Sequence, residues 1–238
     1  MSNKGERKKI KAFNAPRTVQ INRKTETWTV KTRAGTHKAQ DSVALGIVLR
    51  NYIKIANTMK EAKTILTNNE VKVNSKITKD YRIGIGLFDV VSLEKQKKSY
   101  RTILDEKGRL RFVELQEDSD EKISKVQYKI VTKKGIQITT NDGYNFINDK
   151  AKVGDSVKIK TSQGKIESIL PMKEGSLVYI TKGKHCAQKG TIQEIIVGSV
   201  RKDKLVKIKQ DEKTFETIAK NVIVIGEKEA VIADLKKL

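Results

Sequence analysis

The chain has 238 residues, with 50 Lys and Arg against 28 Asp and Glu and a formal net charge of +22. Hydrophobic residues make up 37% and charged residues 33%, which suits small modules laid along a polyanion better than one thick-cored enzyme. A single cysteine, Cys186, and two histidines, His37 and His185, exclude an internal disulfide, a cysteine-cluster zinc site and most other metal constellations.

Residues 1–41 carry 11 Lys and Arg against 3 acids and read as a basic N-terminal arm. Lys4, Arg7, Lys8, Lys9 and Lys11 cluster ahead of Ala15-Pro16, where the proline stops any helix. The stretch has no apolar h-region, so no secretory signal is expected, and no run along the chain is apolar enough to span a bilayer. With only Ile10 as a large apolar residue among Lys4–Lys11, the arm does not form the amphipathic basic helix that a membrane surface selects. Nucleic acid is therefore the expected polyanion, in a soluble cytoplasmic protein. Thr27-Trp28-Thr29-Val30 alternates like a short strand, and Gly35-Thr36-His37 makes a turn. An arm so poor in apolar residues is expected to order on its partner.

Residues 42–93 read as a small α/β module. Leu45, Val48, Leu49, Tyr52 and Ile53 fall on one face of an α-helix that Asp41 or Ser42 caps. Thr58 and Glu61 have capping-box spacing and start a second helix, with Met59, Ala62 and Leu66 facing inward. A hairpin turning at Asn74-Ser75 joins Val71–Val73 to Ile77, and Leu87–Leu93 is a further strand.

From Tyr100 onward the hydrophobic period is two and turns are frequent. Expected strands are Tyr100–Leu104, Leu110–Leu115, Tyr128–Val131, Ile136–Thr139, Val157–Lys160 and Lys165–Ile169. After these come Val178–Thr181, Gly190–Val197, Leu205–Lys209, Thr214–Ile218 and Val222–Ile225. Asn141-Asp142-Gly143 is a strong turn signal, and Asp118, Asp120 and Glu121 lie in an acidic stretch read as a solvated loop. Short strands at this spacing form small barrels or sandwiches. The fold class expected is α+β: arm (1–41), two-helix module (42–93), central β domain (94–172) and a second β domain with a C-terminal tail (173–238).

Two segments carry a resemblance. Glu61-Ala62, Val71-Lys72-Val73-Asn74 and Gly86 followed by Asp89-Val90-Val91 resemble the RNA-binding module named after bacterial ribosomal protein S-four, although Val43-Ala44-Leu45 stands where that module usually has Arg-Leu-Asp. Glu174–His185 followed by Gly190-Thr191-Ile192 resembles a KOW motif, a strand–loop–strand element of ribosomal proteins and of one class of transcription elongation factors. Gly183 and Gly190 are read there as giving a tight loop whose amides approach phosphate. Together with the basic arm, Leu104–Leu110, Asn141–Gly143 and Val153-Gly154-Asp155, they resemble, over almost the whole chain, the archaeal and eukaryotic small-subunit ribosomal protein of the eS-four type.

That resemblance implies a non-enzymatic protein that binds small-subunit rRNA early, beside neighbouring ribosomal proteins, with no cofactor, metal, membrane or small-molecule substrate. Expected RNA contacts in the arm are Lys4, Arg7, Lys8, Lys9, Lys11, Arg17, Arg23, His37 and Lys38. In the two-helix module they are Arg50, Lys60, Lys63, Lys72, Asn74, Lys76, Lys79 and Arg82; in the KOW segment, Lys182, Lys184 and His185. Trp28, beside Val30, is read as a packing anchor, with base stacking as the rival reading. Cys186 is expected as a small buried filler. Gly183-Lys184 is no P-loop, because Val178 and His185 stand where Gly and Ser/Thr are needed. The other function classes weighed are a KOW-type transcription or translation factor and an RNA-modifying enzyme; residues 94–238 offer the latter no nucleophile constellation.

Overall fold

The computed structural model describes residues 7–115, 120–133, 135–199, 202–210, 213–227 and 229–232. Among them the chain is mostly β, with helix confined to residues 45–52 and 59–67 apart from single 3-10 turns. It divides into two compact units, residues 1–103 with 109–119, and residues 104–108 with 120–238.

The first unit opens with an antiparallel ribbon of β1 (Lys9–Lys11) and β2 (Trp28–Val30). The segment between them is held by Arg23, whose guanidinium donates to the carbonyls of Ala12 (3.1 Å), Phe13 (3.2 Å), Ala15 (2.7 Å) and Pro16 (2.9 Å). Ala12, Ala15 and Val19 are buried. The half-buried Arg23 thus ties together the main chain of a stretch poor in large apolar residues, beside the small buried group of Ala12, Ala15 and Val19.

β3 (Val43–Ala44) pairs with β6 (Gly84–Ile85), and α1 (Leu45–Ile47) follows β3 without a break. Neither Asp41 nor Ser42 caps it; Ser42 donates to the Lys38 carbonyl, and the amides of Leu45 and Gly46 donate to the carbonyls of Ile83 and Tyr81 (2.9 and 2.8 Å). The N-cap position falls on Ala44, whose methyl group cannot accept a hydrogen bond, so carbonyls of a neighbouring segment meet the orphan amides. The expected α-helix then widens to a π-helix over Val48–Tyr52, where the Ile53 amide reaches back five residues to Val48 (3.0 Å). α2 (Met59–Thr67) starts on the expected capping box: the Glu61 amide donates to Thr58 Oγ1, and the Glu61 carboxylate accepts from the Thr58 amide.

The hairpin of β4 (Val71–Val73) and β5 (Lys76–Ile77) turns at Asn74 and Ser75, both in the left-handed region (φ 48° and 65°), as a two-residue hairpin requires. With β7 (Val90–Leu93), β8 (Lys98–Leu104) and β9 (Leu110–Glu114) these strands make a sheet of order β5-β4-β7-β8-β9. The expected boundary at 93/94 therefore falls inside a sheet: Glu94–Lys97 is a tight turn, with the Lys97 amide donating to the Glu94 carbonyl, and not a linker.

The second unit holds two five-stranded sheets. β10 (Glu121–Thr132), β11 (Gly135–Thr140), β12 (Asn145–Ile147), β13 (Ser156–Lys160) and β14 (Lys165–Leu170) pair in the order β12-β11-β10-β13-β14 over a core of Val126, Ile138, Ala151, Val157 and Ile159. β10 starts where the acidic loop was expected; Glu121 is the first strand residue and pairs with Lys158 (2.7 Å). Asp120 is exposed, and Asp118 lies outside the described residues. The buried start of β10 is polar: the Lys122 ammonium lies 2.7 Å from Asp142, whose carboxylate also accepts from the Ser124 hydroxyl.

β15 (Leu177–Ile180), β16 (Lys189–Ile196), β17 (Leu205–Gln210), β18 (Lys213–Ile218) and β19 (Val222–Gly226) form the other sheet, in the order β18-β17-β16-β15-β19. Its interior is Val178, Ile180, Ile192, Val206, Ile208, Val222 and Val224. The buried Tyr179 hydroxyl accepts from the Leu104 amide (3.2 Å), and burial pushes that phenol upward from its ordinary pKa. Cys186 is buried, as its filler reading expects.

Candidate nucleic-acid interface

The cations of the first unit fall into two populations. Arg7, Lys8, Lys9 and Lys11 are exposed along β1 and its approach, and Arg17 and Lys38 are exposed in the turns that follow. Lys60 and Lys63 project from α2, with the Lys63 ammonium 4.5 Å from the Tyr81 ring centroid, and Lys76 and Lys79 lie exposed on and beyond the hairpin. These groups have the freedom to meet phosphate.

The second population makes contacts within the fold; the side chains of Asn74, Arg82 and His37 are buried, which departs from the surface role expected of them, whereas Arg50 and Lys72 keep part of their surface exposed. Asn74 is buried, donating to Asp89 (2.7 Å) and accepting from the Val90 amide (3.0 Å). Asp89 also accepts from the Gly86 amide (2.8 Å) and lies 2.7 Å from His37 Nε2. No side chain fits at Gly86, because the His37 ring fills the space where its Cβ would stand. Arg82 is buried beside the Lys31 carbonyl, Arg23 holds the carbonyls named above, and Arg50 pairs with Glu26 (3.3 Å). Lys72 forms an ion pair with Glu94. Residue type flagged all of these, but type alone does not tell which way a side chain points. Lys4 lies outside the described residues.

In the second unit, Lys182 and Lys184 are exposed in the turn after β15, and Gly183 between them has φ +104°. The His185 ring stacks on Phe215 (centroids 3.9 Å, 13° between planes), with Nδ1 3.0 Å from Gln188 Oε1. That ring is half-buried and anchored by its own unit. Gly190 also differs from expectation. It has no left-handed φ, and its missing Cβ makes room for Ile208 and the Lys209 carbonyl on β17.

Sequence reasoning missed Lys31 and misjudged Trp28. Trp28 is 51% exposed, not a packed anchor. It borders an open cleft of about 1020 Å³ lined by Arg7, Lys8, Lys9, Ile10, Lys11, Asn14 and Lys31. The signal lay in a pairing seventeen residues apart that periodicity within one segment does not show.

Two family models match the sequence, the ribosomal family S4e over residues 96–166 and the RS4NT domain over residues 4–40. The small ribosomal subunit protein eS4 of Methanosphaera stadtmanae is 38% identical over 236 residues, 98% of each chain. Its counterpart in Archaeoglobus fulgidus is 34% identical over 222 residues, 92% of this chain and 94% of the relative. The crystal structure of the 30S ribosomal protein S4e from Thermoplasma acidophilum is similar with a TM-score of 0.68 and 32% identity, over 79% of this chain and 96% of that one.

Proposed function

The chain belongs to the eS4 family of small ribosomal subunit proteins, and from that membership we propose that it is a non-enzymatic structural constituent of the small subunit that binds and stabilises small-subunit rRNA in cytoplasmic ribosomes. The observation that carries this reading is end-to-end relatedness: the match to the eS4 of M. stadtmanae spans 98% of both chains. The charge supports it physically. Lysines and arginines that neutralise phosphates release counterions from RNA, and such contacts fix register and orientation without reading sequence.

The groups we assign to phosphate contact are the exposed ones, Arg7, Lys8, Lys9, Lys11, Arg17, Lys38, Lys60, Lys63, Lys76, Lys79, Lys182 and Lys184. Arg23, His37, Asn74 and Arg82 hold the backbone that presents them. We read β15, β16 and their connecting turn as the KOW element of a small SH3-like fold, a reading supported by the glycine at φ +104° between two exposed lysines. Neighbouring ribosomal proteins are the other expected partners.

The test is sedimentation of cell lysate through sucrose gradients at moderate and then high salt. Stoichiometric co-migration with the small subunit at both salts is the expected result. A protein that runs free, or with RNA polymerase, would overturn the ribosomal reading in favour of a transient KOW-type factor.

A further inference from the structure

The ribbon at the start of the first unit has two unlike faces. Lys11 stands opposite Trp28 and Lys9 opposite Val30, so these four share one face, while Ile10 and Thr29 share the other. Thr29 is buried and Ile10 half-buried, so the second face is the one turned inward. An indole that served packing would belong there. Trp28 instead stands on the outer face between exposed lysines, and its ring nitrogen has no hydrogen-bond partner among the described residues.

The cleft beside it is chemically one-sided. Five of its described lining residues are cations, Arg7, Lys8, Lys9, Lys11 and Lys31, and none of the described lining residues is an acid. None of the five forms an ion pair with a described residue. An exposed aromatic plane ringed by unpaired cations matches a ligand that offers a flat π-surface and a phosphate together. A protein partner would need an apolar contact and a dense acidic patch in the same place; a nucleotide carries both features in one unit. A base within an A-form duplex is already stacked on both sides, so the plane is available only where a strand is unpaired.

We infer that Trp28 is a stacking seat for an unpaired RNA nucleotide, with the lysines of β1 and Lys31 taking the phosphates on either side, a step that rests on the RNA-binding role proposed above. The indole covers the base and loses water from its exposed half. The lysines hold the backbone that presents the base. Such seats accept any base, since every base has a π-face.

Trp28 is the chain's one tryptophan, so its fluorescence reports on this seat alone. The full chain is titrated with single-stranded oligouridylate, with an RNA duplex of equal length, and with inorganic polyphosphate, while binding is followed separately through a label on each RNA. The expected result is strong quenching by the single strand and little by the duplex or polyphosphate. Trp28→Leu should weaken binding of the single strand roughly 5- to 100-fold and leave duplex binding near its original level. Trp28→Phe, which keeps an aromatic plane, should retain most of the affinity and shows that the ribbon tolerates replacement. Binding of the single strand without quenching, or equal quenching by polyphosphate, overturns the seat while the RNA-binding role stands; the exposed indole would then belong to a protein contact. Failure of every RNA to bind overturns both.

Discussion

Lys125 carries its ammonium into the second unit, donating to the carbonyls of Ala219 (2.5 Å) and Val222 (2.6 Å). Burial pushes its pKa from 10.5 down to about 8, with the charge of Lys204 acting in the same direction. An unfolded chain, where this lysine is hydrated, holds the proton up to its ordinary pKa. Between about pH 8 and 10.5 the unfolded state therefore binds more protons, and stability contributed by this group rises with pH across that window. Below it, the buried charge costs on the order of a few kcal/mol. Other groups titrate nearby: burial raises the Cys186 thiol, which acts in the opposite sense, and lowers Lys189, which acts in the same sense. The informative quantity is thus the difference between the native chain and Lys125→Met in urea midpoint, measured from pH 7 to 10. The native chain should gain on the variant steadily above pH 8. A difference that stays constant over that range would show that the ammonium is hydrated in the folded state.

Elements were legible in the sequence wherever their signals are local. The capping box of α2, the Asn74-Ser75 turn and the turn at Asn141–Gly143 each depend on a few adjacent residues, and each stands where it was expected. The π-helical continuation of α1 was not legible, because its apolar spacing is the same as that of an α-helix. The allegiance of β8 and β9 to the first sheet was hidden by the charged turn at Glu94–Lys97, which has the composition of a linker. Gly190 is the sharpest case. Its place in the KOW segment suggested loop freedom, yet it sits within β16, where a Cβ would stand 2.5 Å from Ile208 Cγ2 and 2.8 Å from the Lys209 carbonyl oxygen. Backbone of a paired strand has little room to give, so Gly190→Ala should destabilise the second unit by about 1–3 kcal/mol, the usual range for overpacking. Gly183→Ala meets no neighbour and suffers only from its left-handed φ, about 1–2 kcal/mol. Urea denaturation of both variants tests the distinction; a Gly190→Ala chain as stable as the native one would show that β16 and β17 can separate without cost.

For the molecule as a whole, net charge and available charge are different quantities. The +22 counts every lysine equally, but Lys95 lies 2.5 Å from Glu70, Lys98 2.8 Å from Glu114, and Lys158 between Glu121 (2.7 Å) and Glu167 (3.0 Å). A lysine already neutralised by its own fold displaces few counterions when RNA arrives. Lys8, Lys9 and Lys11 stand in a cleft with no acid among its described lining residues, and none of the three is ion-paired to a described residue, so each can replace a condensed cation on the polyanion. Each phosphate neutralised contributes roughly 0.7–0.9 to the slope of log affinity against log salt concentration. Replacing Lys8, Lys9 and Lys11 together by Gln should therefore lower the slope for small-subunit rRNA by about two to three. Replacing Lys95, Lys98 and Lys158 by Gln removes the same net charge and should lower it by less than about one. Equal losses from the two sets would mean that the RNA responds to total charge at long range, and that the ribbon has no privileged place in the interface.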